Sequence, residues 1–306
     1  MKLSEQVQKT LTYIQQIEVP SNLSQLETGR AFYEQFIPLA GTKEAVHLIE
    51  EQTITTGKHA IRLRIYRPND RDKQPAIVYF HGGWFNAGSL ETHDTPLRQL
   101  ANASQTTVIA VSYRLAPEHP FPAGLNDGEF ATQWILDNAA RFRINPSQLM
   151  IAGDSAGGAL AATIARKFKE KVVAQILIYP VTDNSLKTAS WLEFQNGPIL
   201  NLQGGIQAWD WYLPQTEDQT NPDAVPLLAD DLEALPPTFI AVAEYDPLKD
   251  EAVQYAEKLR AKGVHVNLKR YEGMIHGFFQ MGGMIDDAAG LIQDLGQFIK
   301  ENQTQQ

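Results

Sequence analysis

A serine flanked by glycines is the strongest chemical signal in the sequence. Gly153, Ser155 and Gly157 form the pattern G-x-S-x-G, in which the serine projects from a sharp turn between a strand and a helix. Side chains two residues before and after the serine would collide with the turn, so glycine is needed at both positions. An apolar run at 149–152 precedes the pattern and a helical run at 159–169 follows it. Ser155 is therefore predicted to be a nucleophile.

The alternatives for this segment are a glycine-rich phosphate cradle and a plain turn. A dinucleotide-binding loop would need G-x-G-x-x-G, and a P-loop would need Gly-Lys followed by Ser or Thr. Neither pattern is present, which favours the nucleophile.

Two histidines could supply the general base. A serine hydroxyl needs a neutral imidazole to take its proton, and for a nucleophile in this kind of turn the acid and then the histidine follow in the chain. Of seven histidines, only His265 and His276 follow Ser155. His265 begins a β-rich run and is predicted to be a strand histidine. His276 lies in a glycine-flanked loop after that run, where parallel sheets place their ligand groups. It is predicted to be the base, with an ordinary loop histidine as the alternative.

A carboxylate must hold the imidazole in the correct tautomer. The segment after the buried run at 238–243 offers Glu244, Asp246, Asp250 and Glu251. Asp246 directly follows the run and precedes Pro247, which ends the strand and sets a turn. Asp250 stands where a helix N-cap is expected, and the remaining acids are expected on a solvated face. Asp246 is therefore predicted to be the acid.

A glycine-rich loop could bind the negative charge that develops in acyl transfer. The loop HGGW follows the apolar run at 76–80, and its Gly82 and Gly83 allow backbone amides to approach a substrate. The N–H of Ala156, the residue after the nucleophile, would be a further donor. These three residues are the predicted oxyanion hole, and a simple turn is the alternative.

The elements that must position these residues alternate between strands and helices. β-rich runs are predicted at 61–66, 76–80, 107–111, 149–152, 174–179, 238–243 and 266–271, with helical patterns at 127–138, 159–169 and 251–262. Several runs are almost wholly apolar, which is typical of strands buried on both faces. The sequence therefore predicts one α/β domain over residues 1–306, with a mostly parallel sheet and helices on both faces. Helical residues 1–40 and an insertion at 184–223 are predicted to form a cap.

Five motifs together resemble a known family. In order over residues 81–278, the motifs are HGGW, YRLAPEHPFPA, GDSAGG, EYDPLKDE and IHGF. They resemble the motifs of the hormone-sensitive-lipase-like esterases, the microbial family IV type of α/β-hydrolase. The resemblance implies an eight-stranded sheet with a helical cap, and hydrolysis of esters with short to medium acyl chains without a cofactor. Carried over by position, it implies a catalytic triad of Ser155, Asp246 and His276. It also implies an oxyanion hole formed by Gly82, Gly83 and Ala156.

One departure from the family pattern concerns the loop after the second glycine. The group has three glycines after its histidine, and Trp84 replaces the third. Its backbone N–H is a candidate donor, although tryptophan disfavours positive φ. The indole is expected to shorten the acyl pocket and favour small acyl groups.

Other polar residues in the motifs are expected to be structural. Arg114 is expected to be buried and paired with Asp127 or Glu118, and His81 is expected to brace its loop. His93 and Asp94 could suggest a metal site, but two ligands do not make one, and a solvated loop is the expectation.

Composition restricts the partners. The net charge is −10 and the sequence pI is about 5.2, so neither nucleic acid nor an anionic membrane surface is an expected partner. There is no cysteine, which excludes disulfides, catalytic thiols and thiolate metal sites. No signal-peptide pattern and no apolar run of about 18 residues is present, so a cytoplasmic location is expected. The expected partner is a small-molecule ester, and the sequence leaves open whether the protein forms a homodimer.

Two other functions fit the same residues. An amidase would use the same triad, and the sequence does not separate it from an esterase. A ligand-binding receptor on the same fold is the other alternative, but receptors that resemble this group lack a working catalytic histidine. The presence of His276 favours an enzyme.

Overall fold

A single mixed sheet forms the centre of the molecule in a computed structural model that describes residues 3–197 and 199–303. Its strands are β1 (Leu48–Thr55), β2 (Ala60–Arg67), β3 (Gln74–Phe80), β4 (Thr107–Ser112), β5 (Ile144–Asp154), β6 (Val172–Ile178), β7 (Thr238–Tyr245) and β8 (Val266–Ile275). They lie in the order β1-β2-β4-β3-β5-β6-β7-β8. Strand β2 pairs antiparallel with β1 and β4, and all other neighbouring strands pair in parallel. The expected eight-stranded, mostly parallel sheet is confirmed.

Helices cover both faces of the sheet. They are α1 (Glu5–Gln15), α2 (Gln25–Glu34), α3 (Asp94–Ser104), α4 (Ala123–Asp137), α5 (Ala156–Lys167), α6 (Ala189–Glu193), α7 (Leu202–Tyr212), α8 (Lys249–Ala261) and α9 (Asp287–Gln303). Buried side chains of α4, α5 and α8 belong to one apolar cluster, and those of α1, α3 and α9 belong to the other. None of the described helices combines the length and apolar character needed to cross a membrane.

Strand β3 shows why the central runs are apolar throughout. Ala76, Val78 and Phe80 point into the cluster that contains α5, while Ile77 and Tyr79 point into the cluster that contains α9. All five are buried, because side chains alternate between two covered faces. The continuous apolar pattern of AIVYF therefore predicted the strand and its central place.

Strand β1 was not predicted from the sequence. It pairs only with β2, at the edge of the sheet, and Ile54 is its one buried residue. The segment carries Glu50, Glu51 and Gln52 in succession. An edge strand that is solvated on both faces lacks the apolar alternation by which strands are recognised.

The predicted cap segments are held to the body by polar groups in addition to their apolar packing. Residues 1, 2 and 198 of these segments lie outside the described residues. Arg30 on α2 donates to both carboxylate oxygens of Glu118, at 2.7 and 2.8 Å, and to the carbonyl of Asn86 at 2.7 Å. On α6, the Ser190 hydroxyl donates to the carbonyl of Pro247 at 2.6 Å. Both segments are thus anchored to loops that border the candidate site.

Candidate active site

The three side chains predicted to form the triad converge at the carboxyl edge of the parallel strands. Ser155 lies between the end of β5 and the start of α5, Asp246 directly follows β7, and His276 directly follows β8. Because parallel strands end at the same edge, residues 30 to 121 positions apart in the chain become neighbours there. Ser155, Asp246 and His276 are 4%, 0% and 6% exposed.

Ser155 occupies a strained backbone conformation. Its φ is 54° and its ψ is −122°, a combination that is sterically costly for a residue with a side chain. A Cβ on Gly153 would overlap the carbonyl oxygen of Gly157, and a Cβ on Gly157 would overlap that of Phe80. The predicted steric need for glycine at both positions is confirmed.

The three side chains form one hydrogen-bonded row. His276 Nε2 lies 2.9 Å from Ser155 Oγ, and His276 Nδ1 lies 2.8 Å from Asp246 Oδ2. A carboxylate only accepts, so Nδ1 carries the proton and Nε2 is free to accept the serine proton. The second oxygen of Asp246 accepts from the N–H of Leu248 at 2.9 Å. The row has the hydrogen-bonding pattern that activates a serine hydroxyl for attack.

The loop after β3 differs from the expectation at one position. The N–H of Gly82 donates to Oδ1 of Asp154 at 2.8 Å. A backbone amide has one hydrogen, so Gly82 lacks the free donor that was expected of it. The N–H groups of Gly83, Trp84 and Ala156 have no acceptor among the described residues. These three amides are free to bind an oxyanion.

Trp84 adopts the conformation that its side chain disfavours. Its φ is 53°, within the left-handed region. Its partly buried indole lies 6.1 Å, centroid to centroid, from the ring of Trp191. Strained backbone of this kind persists only where surrounding packing holds it in place.

His81 braces the loop, as expected. Its Nδ1–H donates to the carbonyl of Gly82 at 2.8 Å, and its ring stacks on Tyr113 at a centroid distance of 4.5 Å. Burial lowers the pKa of His81 to about 4, so the imidazole is neutral at neutral pH. It holds the loop by a hydrogen bond and not by charge.

An apolar cavity opens onto Ser155 and His276. It is lined by side chains of α2 and of the segment that follows it, by the loop after β3, and by the segment before α7. Its apolar lining side chains are Phe32, Tyr33, Phe36, Trp84, Ile199 and Leu200. A second cavity shares His276, Ile199 and Leu200 with the first. The site is therefore a partly enclosed apolar space with a small polar centre.

The rival acids have structural partners, and two expectations about them were wrong. Helix α8 begins at Lys249, so Asp250 is not its N-cap; the Asp250 carboxylate accepts from the N–H of Ser190 at 2.8 Å. Glu251 is fully buried, not solvated, and accepts from the indole N–H of Trp191 at 2.9 Å. Burial raises the pKa of Glu251 to about 8, although its hydrogen bonds act in the opposite direction.

His93 and Asp94 do not lie on a solvated loop, which corrects the expectation. Both are buried, His93 completely. Nε2 of His93 lies 3.0 Å from Oδ1 of Asp154, and Asp94 accepts from the Tyr66 hydroxyl at 3.0 Å. The polarity of THD suggested solvent, but in the fold these side chains pair with distant buried groups. Within the described residues, no group of three or more His, Asp or Glu side chains is arranged to hold a metal ion.

Of the two carboxylates expected as partners of Arg114, Asp127 is the one that it contacts. Its guanidinium donates to both oxygens of Asp127, at 2.8 and 2.9 Å, while Glu118 pairs with Arg30 instead. The Arg114 side chain is 30% exposed, so it is not buried as expected. His265 is exposed and lies immediately before β8.

The sequence and the fold are both similar to those of known proteins. Residues 77–280 match the family described as the alpha/beta hydrolase fold. Carboxylesterase NlhH of Mycobacterium tuberculosis is 40% identical over 250 residues, which cover 79% of this chain and 78% of that protein. Ethyl acetate hydrolase of Pseudomonas putida is 35% identical over 271 residues, 86% of this chain and 85% of that protein. The hyperthermophilic esterase of Pyrobaculum calidifontis superposes with a TM-score of 0.91 at 36% identity, covering 98% of this chain and 99% of that one.

Proposed function

The chain belongs to the α/β-hydrolase family, in its hormone-sensitive-lipase-like group, and is a carboxylic ester hydrolase; we propose that it works through an acyl-enzyme on Ser155. The observation that carries this proposal is the imidazole of His276, which lies within hydrogen-bond distance of both Ser155 Oγ and Asp246 Oδ2. Three groups so arranged supply the nucleophile, the base and the orienting carboxylate of acyl transfer.

Acylation follows from the position of each group. His276 Nε2 removes the proton from Ser155 Oγ as the oxygen attacks the ester carbonyl carbon. The resulting oxyanion accepts hydrogen bonds from the free amides of Gly83 and Ala156, with the amide of Trp84 as the third candidate donor. Because the donors are fixed before the reaction, they stabilise the developing charge without reorganisation. His276 then gives its proton to the departing alcohol.

Deacylation repeats these steps with water. His276 Nε2 takes a proton from a water molecule as the water oxygen attacks the acyl carbon. The same amides stabilise the second tetrahedral intermediate. Collapse of this intermediate releases the carboxylic acid and returns the proton to Ser155 Oγ. Asp246 stabilises the imidazolium in both halves of the cycle.

Residues 1–40 and 184–223 act as a cap over this site. Phe32 and Phe36 from the first segment and Leu200 from the second line the cavity above Ser155. Such a cover excludes water from the reacting groups and strengthens their electrostatic interactions. It also limits the length of the acyl chain, so the proposed substrates are esters with short to medium acyl chains.

The acyl-enzyme is tested by trapping it. A fluorophosphonate should add once to the protein, and peptide mass analysis should find the adduct on Ser155. Nitrophenyl acetate and butyrate should give an initial burst of nitrophenol in proportion to enzyme, while the matching anilides should react far more slowly. A label on another residue, or faster anilide than ester hydrolysis, would contradict a serine carboxylesterase.

Trp84 is expected to limit acyl-chain length. Replacing it with glycine should enlarge the cavity and suit the φ of 53°. Because each buried methylene contributes about 0.8 kcal/mol, kcat/KM for octanoate relative to acetate should rise by about tenfold or more. Trp134→Ala, a comparable loss of an indole on α4 where the ring packs against Phe142, should leave the ratio within about twofold. An unchanged ratio in Trp84→Gly would show that another group sets chain length.

A further inference from the structure

The side chain of Asp154, next to the proposed nucleophile, has no role in the steps above. It is 1% exposed. Its Oδ1 accepts from the N–H of Gly82 and from the hydroxyl of Tyr79, each at 2.8 Å, and lies 3.0 Å from Nε2 of His93. A buried carboxylate is costly unless its partners compensate it. This set of buried partners points to a site built around the charge.

The carboxylate holds the start of the oxyanion loop. The peptide unit between His81 and Gly82 is anchored at both ends, because its N–H donates to Asp154 and its carbonyl accepts from the Tyr113 hydroxyl at 2.6 Å. The next peptide unit is anchored through the Gly82 carbonyl, which accepts from the His81 ring at 2.8 Å. A trans peptide is planar, so fixing that carbonyl also fixes the direction of the N–H of Gly83.

The charge of Asp154 requires a counter-charge. Burial raises its pKa, but the imidazole of His93 at 3.0 Å and the hydrogen bonds from Tyr79 and Gly82 outweigh this effect, and the pKa lies below its usual value. An ionised carboxylate beside the nucleophile would repel the oxyanion that forms at Ser155. His93 is completely buried, and its Nδ1 lies 2.9 Å from the Thr92 hydroxyl. Its ring is therefore held in place beside the carboxylate.

We propose that Asp154 is a positioning residue for the oxyanion hole and that His93 is its counter-charge. Asp154 fixes the peptide plane between His81 and Gly82, from which the peptide that carries the N–H of Gly83 continues. His93 cancels the negative charge that would otherwise oppose the transition state. The inference rests on the proposed function, because it assigns the amide of Gly83 to an oxyanion formed at Ser155.

The positioning role is tested with three variants. Asp154→Ala removes the acceptor and should lower kcat about 100-fold, as loss of an oxyanion donor typically does, with KM within about twofold. Asp154→Asn keeps an oxygen for the N–H of Gly82 and should retain kcat to within about tenfold. Tyr79→Phe, the matched control, removes a donor to the same oxygen without touching the loop and should stay within about threefold. Affinity for a boronic acid, which forms a tetrahedral adduct on serine, should fall in parallel with kcat.

The counter-charge is tested by a double-mutant cycle. His93→Gln should lower kcat about tenfold in the wild-type background and should have no further effect in Asp154→Asn, where no charge remains to be compensated. Additive losses would overturn the role of His93. A rise in KM at constant kcat, or equal losses in Tyr79→Phe and Asp154→Ala, would overturn the role of Asp154. If Asp154→Ala does not fold, Asp154→Asn and the cycle decide the question.

Fluorophosphonate labelling separates this inference from the proposed function. Normal labelling of Ser155 in the wild type together with unchanged kcat in Asp154→Ala overturns the inference alone. A wild-type enzyme that does not label at Ser155 overturns the proposed function and the inference with it.

Discussion

Ser155→Ala is expected to lower kcat by about a millionfold, the scale measured for loss of the nucleophile in another serine hydrolase. The variant keeps the cavity, the free amides and His276, but no oxygen remains 2.9 Å from Nε2 to attack the ester. Only transition-state binding by the remaining groups would then accelerate hydrolysis. The measurement is steady-state hydrolysis of nitrophenyl butyrate by protein purified free of host esterases.

A second buried serine provides the control for this loss. Ser104 is fully buried at the end of α3, where its hydroxyl donates to the carbonyl of Leu100 at 2.7 Å. Ser104→Ala removes an equally buried hydroxyl far from the candidate site and should leave kcat within about threefold. Residual activity above about one thousandth in Ser155→Ala, insensitive to fluorophosphonate, would mean that Ser155 is not the nucleophile.

Asp246→Asn is expected to lower kcat by about ten thousandfold, as the corresponding change does in a well-studied serine protease. The amide is nearly the same size, so folding should survive. Its NH₂ group can donate to Nδ1, which would place the imidazole proton on Nε2, facing Ser155. An Nε2 that carries a proton cannot accept another from the serine. The measurement is kcat together with the thermal midpoint, which should change little.

Asp250→Asn is the matched control for the acid. Asp250 lies four residues later in the same segment and accepts from the N–H of Ser190, not from His276. Its amide variant should keep kcat within about fivefold. A comparable loss in both variants would show that the segment as a whole matters, and would remove the specific assignment of Asp246.

Much of the candidate site was predictable because its determinants are local in the chain. The turn at Ser155 needs glycine two residues away on either side, and the order of serine, acid and histidine reduced seven histidines to two. Asp246 was predicted because it directly follows a β-rich run and precedes Pro247, and His276 because it lies in a glycine-flanked loop beyond the next run. Strand β1 was not found, because an edge strand solvated on both faces leaves no apolar pattern.

The charged groups away from the triad were harder to predict, for one physical reason. The partner of a buried polar group is set by contacts between residues far apart in the chain, as with His93 and Asp154 or Glu251 and Trp191. Polar residues in a sequence are predicted to be exposed to solvent by default. A fold can bury the same side chains if it gives them hydrogen-bond or charge partners. That is why His93 and Glu251 were expected in water and lie in the interior.

The sequence by itself determined most of the strand and helix pattern and the choice of the proposed nucleophile, acid and base, because turn sterics and burial periodicity act over a few neighbouring residues. Only the tertiary structure decided which backbone amides stay free, since the N–H of Gly82 is taken by the carboxylate of Asp154, 72 residues away. An amide donates one hydrogen, and whether a distant carboxylate accepts it depends on how the strands are brought side by side.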